Sequence, residues 1–436
     1  EPDRRLVEQA LSSRWRRVGL LYCLPTGIVL LYSAIPFPLY PSTKHDGVTT
    51  DFWFFLFVFY GIYNAVGLLY ITKLFNLISV NWWPEELGVF SFLLFWSASI
   101  GVGSLLYLIK DDWGTWTLTW SMLTLCTLCL PVIAGFLSIH RVHLERAQSR
   151  GDLTLAQQKR IPFLAGIDVH VPQSYKRFLW FVVVLAIGLG SFAMGETYAY
   201  IWLSTLPHSS ADVLLYVYVW VACIYVLDSL TSFIIEAKIE CYPLNFMFRL
   251  YYALTHQIYV RNLYARLRSP QQFAVVQGAS SFITVIIAPV VMTSIVHRLV
   301  KWATRSDIDL EQYRKNSARG FYLKTWAANT TMLAFLGWVT ILHFGSNKAA
   351  FPYYDFARDG EAYSWELTFI ASGAVWCCEI LSCWIARRIM QYSFDLNVDK
   401  TMQEDLKTFP DLLPAGIVLT VFVLMNILMS TVHLSF

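Results

Sequence analysis

The sequence predicts an all-α integral membrane protein of about ten apolar helical segments, and two observations carry this prediction. Hydrophobic residues make up 56% of the 436 residues and charged residues only 14%, whereas about a quarter of a soluble domain is charged. Ten segments are about 20 residues long or longer, which an α-helix needs to cross a ~30 Å hydrocarbon core. These segments are 18–37, 52–71, 87–109, 116–139, 178–204, 213–235, 273–296, 321–344, 365–386 and 412–436.

The connections between these segments are too short to fold as separate domains, so we expect one transmembrane domain over residues 1–436. Short loops rich in lysine and arginine stay on the cytosolic side of a membrane. The N-terminal segment 1–17 and the loop 140–177 are basic, whereas 38–51 and 205–212 carry few basic residues. The sequence therefore predicts an integral membrane protein with a cytosolic N-terminus, without indicating which membrane it occupies.

The topology after the sixth segment is ambiguous. Residues 238–268 and the loop 297–320 are both basic and predicted to be cytosolic, yet one obvious apolar segment, 273–296, lies between them. That segment could be re-entrant or broken at Pro289, residues 245–260 could supply an additional half-crossing, or one loop could depart from the charge rule. A central proline removes a backbone hydrogen bond, and such breaks are tolerated beside cavities, which favours the first explanation.

Residues 245–268 combine helical periodicity with a basic, aromatic face. This pattern predicts an amphipathic helix that lies in the headgroup layer of the membrane. The helix is then either an anchor that connects two spans or a gate that recognises lipid headgroups. Its candidate headgroup ligands are Arg249, His256, Arg261 and Arg266.

Four acids occur within or at the end of apolar segments, namely Glu196, Asp228, Glu236 and Glu379. An ionisable group inside a span costs about 2.5–3.5 kcal/mol on insertion scales, so it normally faces a partner or a wet cavity. Asp228 and Glu379 are expected at similar depth, where two carboxylates in one cavity would share a proton or a cation. The alternative for each acid is a structural contact, for example with Lys324, and Glu236 can reach the membrane surface.

Several classes of site have no support in the sequence. The eight cysteines lie within or near the ends of apolar segments, and the pair Cys126 and Cys129 has no histidine or acid nearby, which indicates packing. No nucleotide-binding loop or zinc-protease motif occurs in a suitable context, and no basic surface typical of nucleic-acid binding is visible. We therefore expect no metal, no cofactor and no nucleic-acid partner.

Three functions remain compatible with this architecture. The first is a transporter or channel-like protein for a small solute, ion or lipid, with proton or cation coupling through the intramembrane acids. The second is a lipid-modifying enzyme or scramblase that uses the basic helix, and the third is a non-transporting subunit or scaffold. The expected partners are membrane lipids and either a second copy of the chain or another membrane subunit. A cavity that is open to the bilayer and lined by the basic helix would favour the second function, whereas a solid core would favour the third.

Overall fold

The structure, a computed structural model, describes residues 4–41, 48–78, 89–109, 117–149, 173–204, 210–267, 269–304, 308–354, 356 and 364–433. A short antiparallel hairpin pairs β1, Leu39–Pro41, with β2, Val48–Thr50. The remaining described elements are helices, and several of them contain a π-helical turn. The helices are α1, Arg4–Ser12; α2, formed by Arg14–Val18, Gly19–Cys23 and Leu24–Ser33; α3, formed by Phe52–Phe54, Phe55–Tyr60 and Gly61–Ile78; α4, Val89–Ile109; α5, Thr117–Ser149; α6, Gln173–Ser204; α7, formed by Ser210–Ile234 and Ile235–Ile239; α8, Tyr242–Tyr264; α9, formed by Pro270–Phe282, Ile283–Ile287 and Ala288–Val291; α10, Ser294–Thr304; α11, Leu310–Phe344; α12, Trp365–Phe394; α13, Val398–Thr408; and α14, Leu412–Thr431.

The all-α, polytopic fold class is confirmed. Each of the ten predicted apolar segments overlaps one of these helices. Within the described ranges, eight helices are long and apolar enough to cross a membrane, namely α3, α4, α6, α7, α9, α11, α12 and α14. The apolar part of α5 is shorter, Met122–Leu137. The sequence thus predicted ten apolar spans, whereas eight of the described helices are both long enough and apolar enough to cross a membrane.

Ion pairs mark one end of the helix bundle, which we call the basic end. Arg177 at the start of α6 pairs with Glu240 just after α7, with 3.0 Å between Nη2 and Oε2. Near the start of α11, Arg319 pairs with Asp405 of α13 at 2.6 Å between Nε and Oδ2. The helix α1 packs against α13 at the same end. The prediction that this end is cytosolic remains a prediction.

Backbone hydrogen bonds mark the opposite end of the bundle. The amide of Phe37, after α2, donates to Oδ1 of Asn347, after α11, at 2.9 Å. The amide of His433, after α14, donates to the carbonyl of Ala350 at 2.8 Å. Connections from three parts of the sequence therefore meet at this end.

The helix α8 runs from one end of the bundle to the other, which corrects the prediction of an interfacial helix over 245–268. Its first residue, Tyr242, donates to Oδ2 of Asp405 at the basic end, at 2.8 Å. Near its last turn, the carbonyl of Asn262 accepts from the hydroxyl of Tyr353 at the opposite end, also at 2.8 Å. Twenty-three residues rise about 34 Å. Several polar residues of α8 instead form hydrogen bonds with neighbouring helices, as Asn245 does with Glu236 and Tyr252 with Thr231, each at 2.9 Å.

The path of α8 resolves the topology. Because α8 and α9 both traverse the bundle, the residues that follow α7 and the residues that begin α11 return to the same end. Residues from Ile235 to Phe246 and from Ile308 to Leu323 indeed line a common cavity of about 370 Å³. The explanation closest to this arrangement was a half-crossing by residues 245–260, whereas α8 runs the full length of the bundle.

The helix α9 continues as the single stretch Pro270–Val291, and the carbonyl of Val291 accepts from the hydroxyl of Tyr313 near the start of α11 at 3.0 Å. The segment 273–296 therefore traverses the bundle, and the re-entrant interpretation is wrong. A π-helical turn, Ile283–Ile287, precedes Pro289. Such a turn widens the helix locally. It accommodates the hydrogen bond that proline removes, so the helix is interrupted without reversing direction.

The helix α10 has the features of a helix in the headgroup layer, although the sequence analysis assigned 297–320 to a loop. Ile295, Leu299 and Trp302 follow one another at spacings of four and three residues, which places them on one face. All three are exposed, and Trp302 is 82% exposed. Arg298 and Lys301 are exposed as well. An exposed apolar face beside basic residues is typical of a helix that lies in the membrane surface.

We expect Trp302 to contact lipid acyl chains. Benzoylphenylalanine in place of Trp302, illuminated in liposomes, should therefore form adducts with the mass of a phospholipid. The same photocrosslinker in place of the exposed Glu311, in the first turn of α11, is the control and should form none. Adducts at 302 with protein alone would contradict the membrane-surface position of α10.

Candidate functional site

A cavity of about 430 Å³ lies between α7, α8, α9 and α11, and we call it the central cavity. Most of its wall is apolar, including Ile224 of α7, Ile283 of α9 and Phe321 of α11. Four ionisable side chains also lie in the wall. They are Asp228 of α7, Arg249 and His256 of α8, and Lys324 of α11.

Helical geometry brings the two residues of α8 into this wall. Arg249 and His256 are seven residues apart, which is close to two turns, so both lie on the face of α8 toward the cavity. The helix α8 packs mainly on α11, α14 and α7. Arg249 and Lys324 are each half-buried. The cavity therefore combines an apolar wall with charged groups at membrane depth.

These charges have no counter-ion within contact distance. Among the residues that the structure describes, neither Arg249 nor Lys324 has a carboxylate oxygen within 4.0 Å. Arg249 makes one long hydrogen bond, from Nε to Oγ of Ser232, at 3.4 Å. Oδ1 of Asp228 is buried and has no hydrogen-bond partner there. Asp228 lies within electrostatic range of Arg249, but among the described residues no ion pair within 4.0 Å joins the two cations and the one acid of this cavity.

The central cavity reaches the outer surface of the bundle between α7 and α9. Tyr225 of α7 and Ile287 of α9 line the cavity, and both side chains are also exposed. In a helix bundle that spans a membrane, the outer apolar surface faces acyl chains. The opening therefore lies on the apolar outer surface of the bundle.

Two further cavities continue the central one along α11. Arg249 and Leu323 also line the 370 Å³ cavity at the basic end, which we call the basal cavity. Phe321 and Lys324 also line a small cavity of about 20 Å³ on the other side, which has room for about one water molecule. On α11 the lining residues extend from Gln312 to Ala328, a rise of about 24 Å. The three cavities form a row from the basic end into the bundle.

Asp228 and Glu379 lie in different cavities. Glu379 lines the small cavity, and Lys324 lies in the wall shared with the central cavity. The carboxylate of Glu379 accepts hydrogen bonds from Nη2 of Arg261, at 2.7 Å to Oε1 and 2.6 Å to Oε2. Nη1 of Arg261 donates to the hydroxyl of Tyr264 at 2.9 Å. Glu379 therefore has a structural ion-pair partner, whereas Asp228 forms no ion pair within 4.0 Å among the described residues.

The other predicted acids lie away from the central cavity. Glu236 is exposed at the end of α7, where it lines the basal cavity. Its Oε1 accepts from Nδ2 of Asn245 at 2.9 Å. Glu196 of α6 is half-buried and lies within electrostatic range of Tyr259 of α8. It is not among the residues that line the three cavities.

The four predicted headgroup ligands separate into two groups. Arg249 and His256 line the central cavity. Arg261 is 1% exposed and engaged with Glu379, and the guanidinium of Arg266 lies 4.9 Å from the ring centre of Tyr353. The structure therefore brings two of the four together at one site.

Lys324 is not among the site residues predicted from the sequence. The signal was present, because a lysine inside the apolar segment 321–344 costs as much as an acid in a span. Its proximity to Arg249 could not be read from the sequence, since the two residues lie 75 positions apart on different helices. Only the packing of α8 against α11 brings both to one cavity.

In the ranges that the structure describes, no group of three or more His, Cys, Asp or Glu side chains is placed to hold a metal ion. All eight cysteines are free thiols. The central cavity consequently offers ionic and hydrogen-bonding groups without a ligand set for a metal.

Comparison with known proteins shows the family. A family model described as SPCC553.12c matches residues 3–432. A Schizosaccharomyces pombe protein named "Uncharacterized protein C553.12c" is 40% identical over 437 residues, an alignment that covers 100% of this chain and 83% of that protein. No solved structure matches the chain. This polytopic membrane protein belongs to the family described as SPCC553.12c.

Proposed function

We propose that this protein is a lipid carrier that takes a lipid from the bilayer and holds its anionic headgroup in the central cavity. The observation that carries the proposal is the presence of Arg249 and Lys324 in an apolar cavity at the outer surface of the bundle, where neither forms an ion pair within 4.0 Å in the part of the chain that the structure describes. Each charge inside a membrane costs about 2.5–3.5 kcal/mol unless a partner compensates it. A ligand that supplies an anion would provide that partner.

The apolar wall supports a lipid over a small polar solute. Residues such as Ile224, Ile283 and Phe321 suit acyl chains, and ligand cavities of this size combine apolar walls with a few polar groups. The opening between α7 and α9 would let the chains remain in the bilayer while the headgroup enters. A small polar solute has no acyl chains, so it would not require an opening toward the bilayer.

The row of cavities supports movement of the headgroup. The basal cavity is lined by polar residues of α8 and α11, including Asn245 and Asn316. Arg249 faces both this cavity and the central one, so a headgroup could pass between them without losing its contact with a cation. Coupling through a shared Asp228 and Glu379 site is not favoured, because Glu379 pairs with Arg261 in another cavity.

A lipid-modifying enzyme or scramblase is the second candidate, since Arg249 and His256 of α8 line a cavity that reaches the outer surface, and the position of His256 favours the enzyme. His256 and Asp228 line one cavity, and a histidine can act as a general acid or base. An enzyme would change the mass of a lipid during incubation. A carrier would leave that mass unchanged.

Bound lipid provides the test of the proposed carrier. Native mass spectrometry of the purified wild type should show retained phospholipid, and the double variant Arg249→Gln/Lys324→Gln should retain about tenfold less, because both anion partners are lost. The control is Lys315→Gln on the same helix, whose ammonium pairs with Glu311 at 2.7 Å outside the cavity. In liposomes, the double variant should also slow translocation of a fluorescent anionic lipid. Unchanged retention and translocation in the double variant would contradict the proposal.

A further inference from the structure

We infer that the ligand of the central cavity is a phospholipid of net charge −1 whose headgroup also carries a hydrogen-bond donor. Its phosphate would lie between Arg249 and Lys324, and its donor would bind the carboxylate of Asp228. This inference rests on the proposed function and deepens it by naming the ligand class.

Charge balance is the first step. Arg249 and Lys324 oppose the single acid Asp228, so with His256 neutral the cavity carries a net charge of +1. A net charge is costly in a medium of low dielectric constant. A ligand of net charge −1 would make the occupied cavity neutral, whereas a zwitterionic ligand would leave the excess charge in place.

The unpartnered oxygen of Asp228 is the second step. Oδ1 is buried without a hydrogen bond, and buried acceptors normally have a donor. Nearby hydroxyls make other contacts: Ser232 donates to Oδ1 of Asn245 at 2.9 Å, and the hydroxyls of Thr231 and Tyr252 share one hydrogen bond of 2.9 Å. A ligand that supplies an O–H or N–H would complete the site.

These two requirements separate the common headgroups. Phosphatidylglycerol and phosphatidylserine each carry net charge −1 together with hydroxyl or ammonium donors. Phosphatidylcholine is zwitterionic, and its quaternary ammonium has no N–H. Phosphatidylethanolamine has a donor but no net charge, and phosphatidylmethanol has the charge but no donor. Phosphatidylglycerol and phosphatidylmethanol therefore form a matched pair that isolates the donor.

The experiment is competition between these five lipids for the full chain, read by native mass spectrometry. The wild type should retain phosphatidylglycerol and phosphatidylserine about tenfold better than phosphatidylmethanol and phosphatidylcholine. Asp228→Ala should remove the preference for phosphatidylglycerol over phosphatidylmethanol while retaining anionic lipid. Glu366→Gln, in the exposed first turn of α12, is the control and should keep that preference.

Each outcome separates the two proposals. Equal retention of phosphatidylglycerol and phosphatidylmethanol by the wild type would overturn the inference and leave the carrier proposal standing. Absence of any bound phospholipid would overturn both. The wild-type panel alone decides the inference if Asp228→Ala does not fold.

Discussion

Replacing Glu379 with alanine is expected to destabilise the folded protein by about 3–5 kcal/mol, because it leaves a buried arginine without its counter-ion. Arg261 is 1% exposed and donates to both carboxylate oxygens of Glu379. Its Nε atom already lacks a hydrogen-bond partner among the described residues. Loss of Glu379 would thus remove the main compensation for a charge inside the bundle.

Unfolding in mixed micelles, followed by circular dichroism, measures this effect. Glu379→Gln should cost less than alanine, because the amide oxygen still accepts one hydrogen bond. The double variant Arg261→Met/Glu379→Leu should be much closer to the wild type than Glu379→Ala, since it removes both charges together. Glu366→Gln on the same helix serves as the exposed control. A wild-type stability for Glu379→Ala would show that Arg261 is solvated or finds another partner.

Replacing Asp405 with alanine is expected to cost about 2 kcal/mol, the scale of hydrogen bonds to charged groups. Both carboxylate oxygens accept from Arg319, at 2.6 Å from Nε and 2.8 Å from Nη2. The hydroxyl of Tyr242 donates to Oδ2 at 2.8 Å. Asp405 therefore joins α8, α11 and α13 beside the basal cavity, and its loss should loosen that end of the bundle.

The chain offers a matched control for this prediction in Asp399, on the same helix. Asp399 pairs with Arg387 at 3.0 Å, but its side chain is 44% exposed compared with 10% for Asp405. Exposed ion pairs contribute about 0–1 kcal/mol, so Asp399→Ala should have the smaller effect in the same unfolding measurement. Equal losses for the two variants would contradict the proposed role of Asp405.

The contrast between α8 and α10 shows that the same sequence pattern can occur in a buried helix and in an exposed one. Both helices mix basic and apolar residues at helical spacing, a pattern that predicts a helix in the membrane surface. In the structure, α10 exposes its apolar face, as such a helix would, whereas α8 lies inside the bundle. Periodicity states which residues share a face, but neighbouring helices decide whether that face meets water, headgroups or protein.

The same holds for the candidate site, where the sequence identifies individual residues but not their contacts with distant helices. The sequence singled out Asp228 because an ionisable group in an apolar segment is costly, and it singled out Arg249 and His256 as headgroup ligands on a basic helical face. It could not indicate that Arg261 and Glu379, 118 positions apart, would neutralise one another. It also could not join Lys324 to Arg249, because contacts between distant helices depend on packing angles that periodicity does not encode.

The sequence by itself determined the solvent and the secondary structure, because long apolar segments must satisfy their backbone hydrogen bonds within a helix when they lie in lipid. The tertiary structure alone decided that the polar helix α8 crosses the bundle, and therefore which charges are paired and which face a cavity. The physical reason is that a buried charge is defined by its neighbours in space, and those neighbours come from helices far apart in the chain.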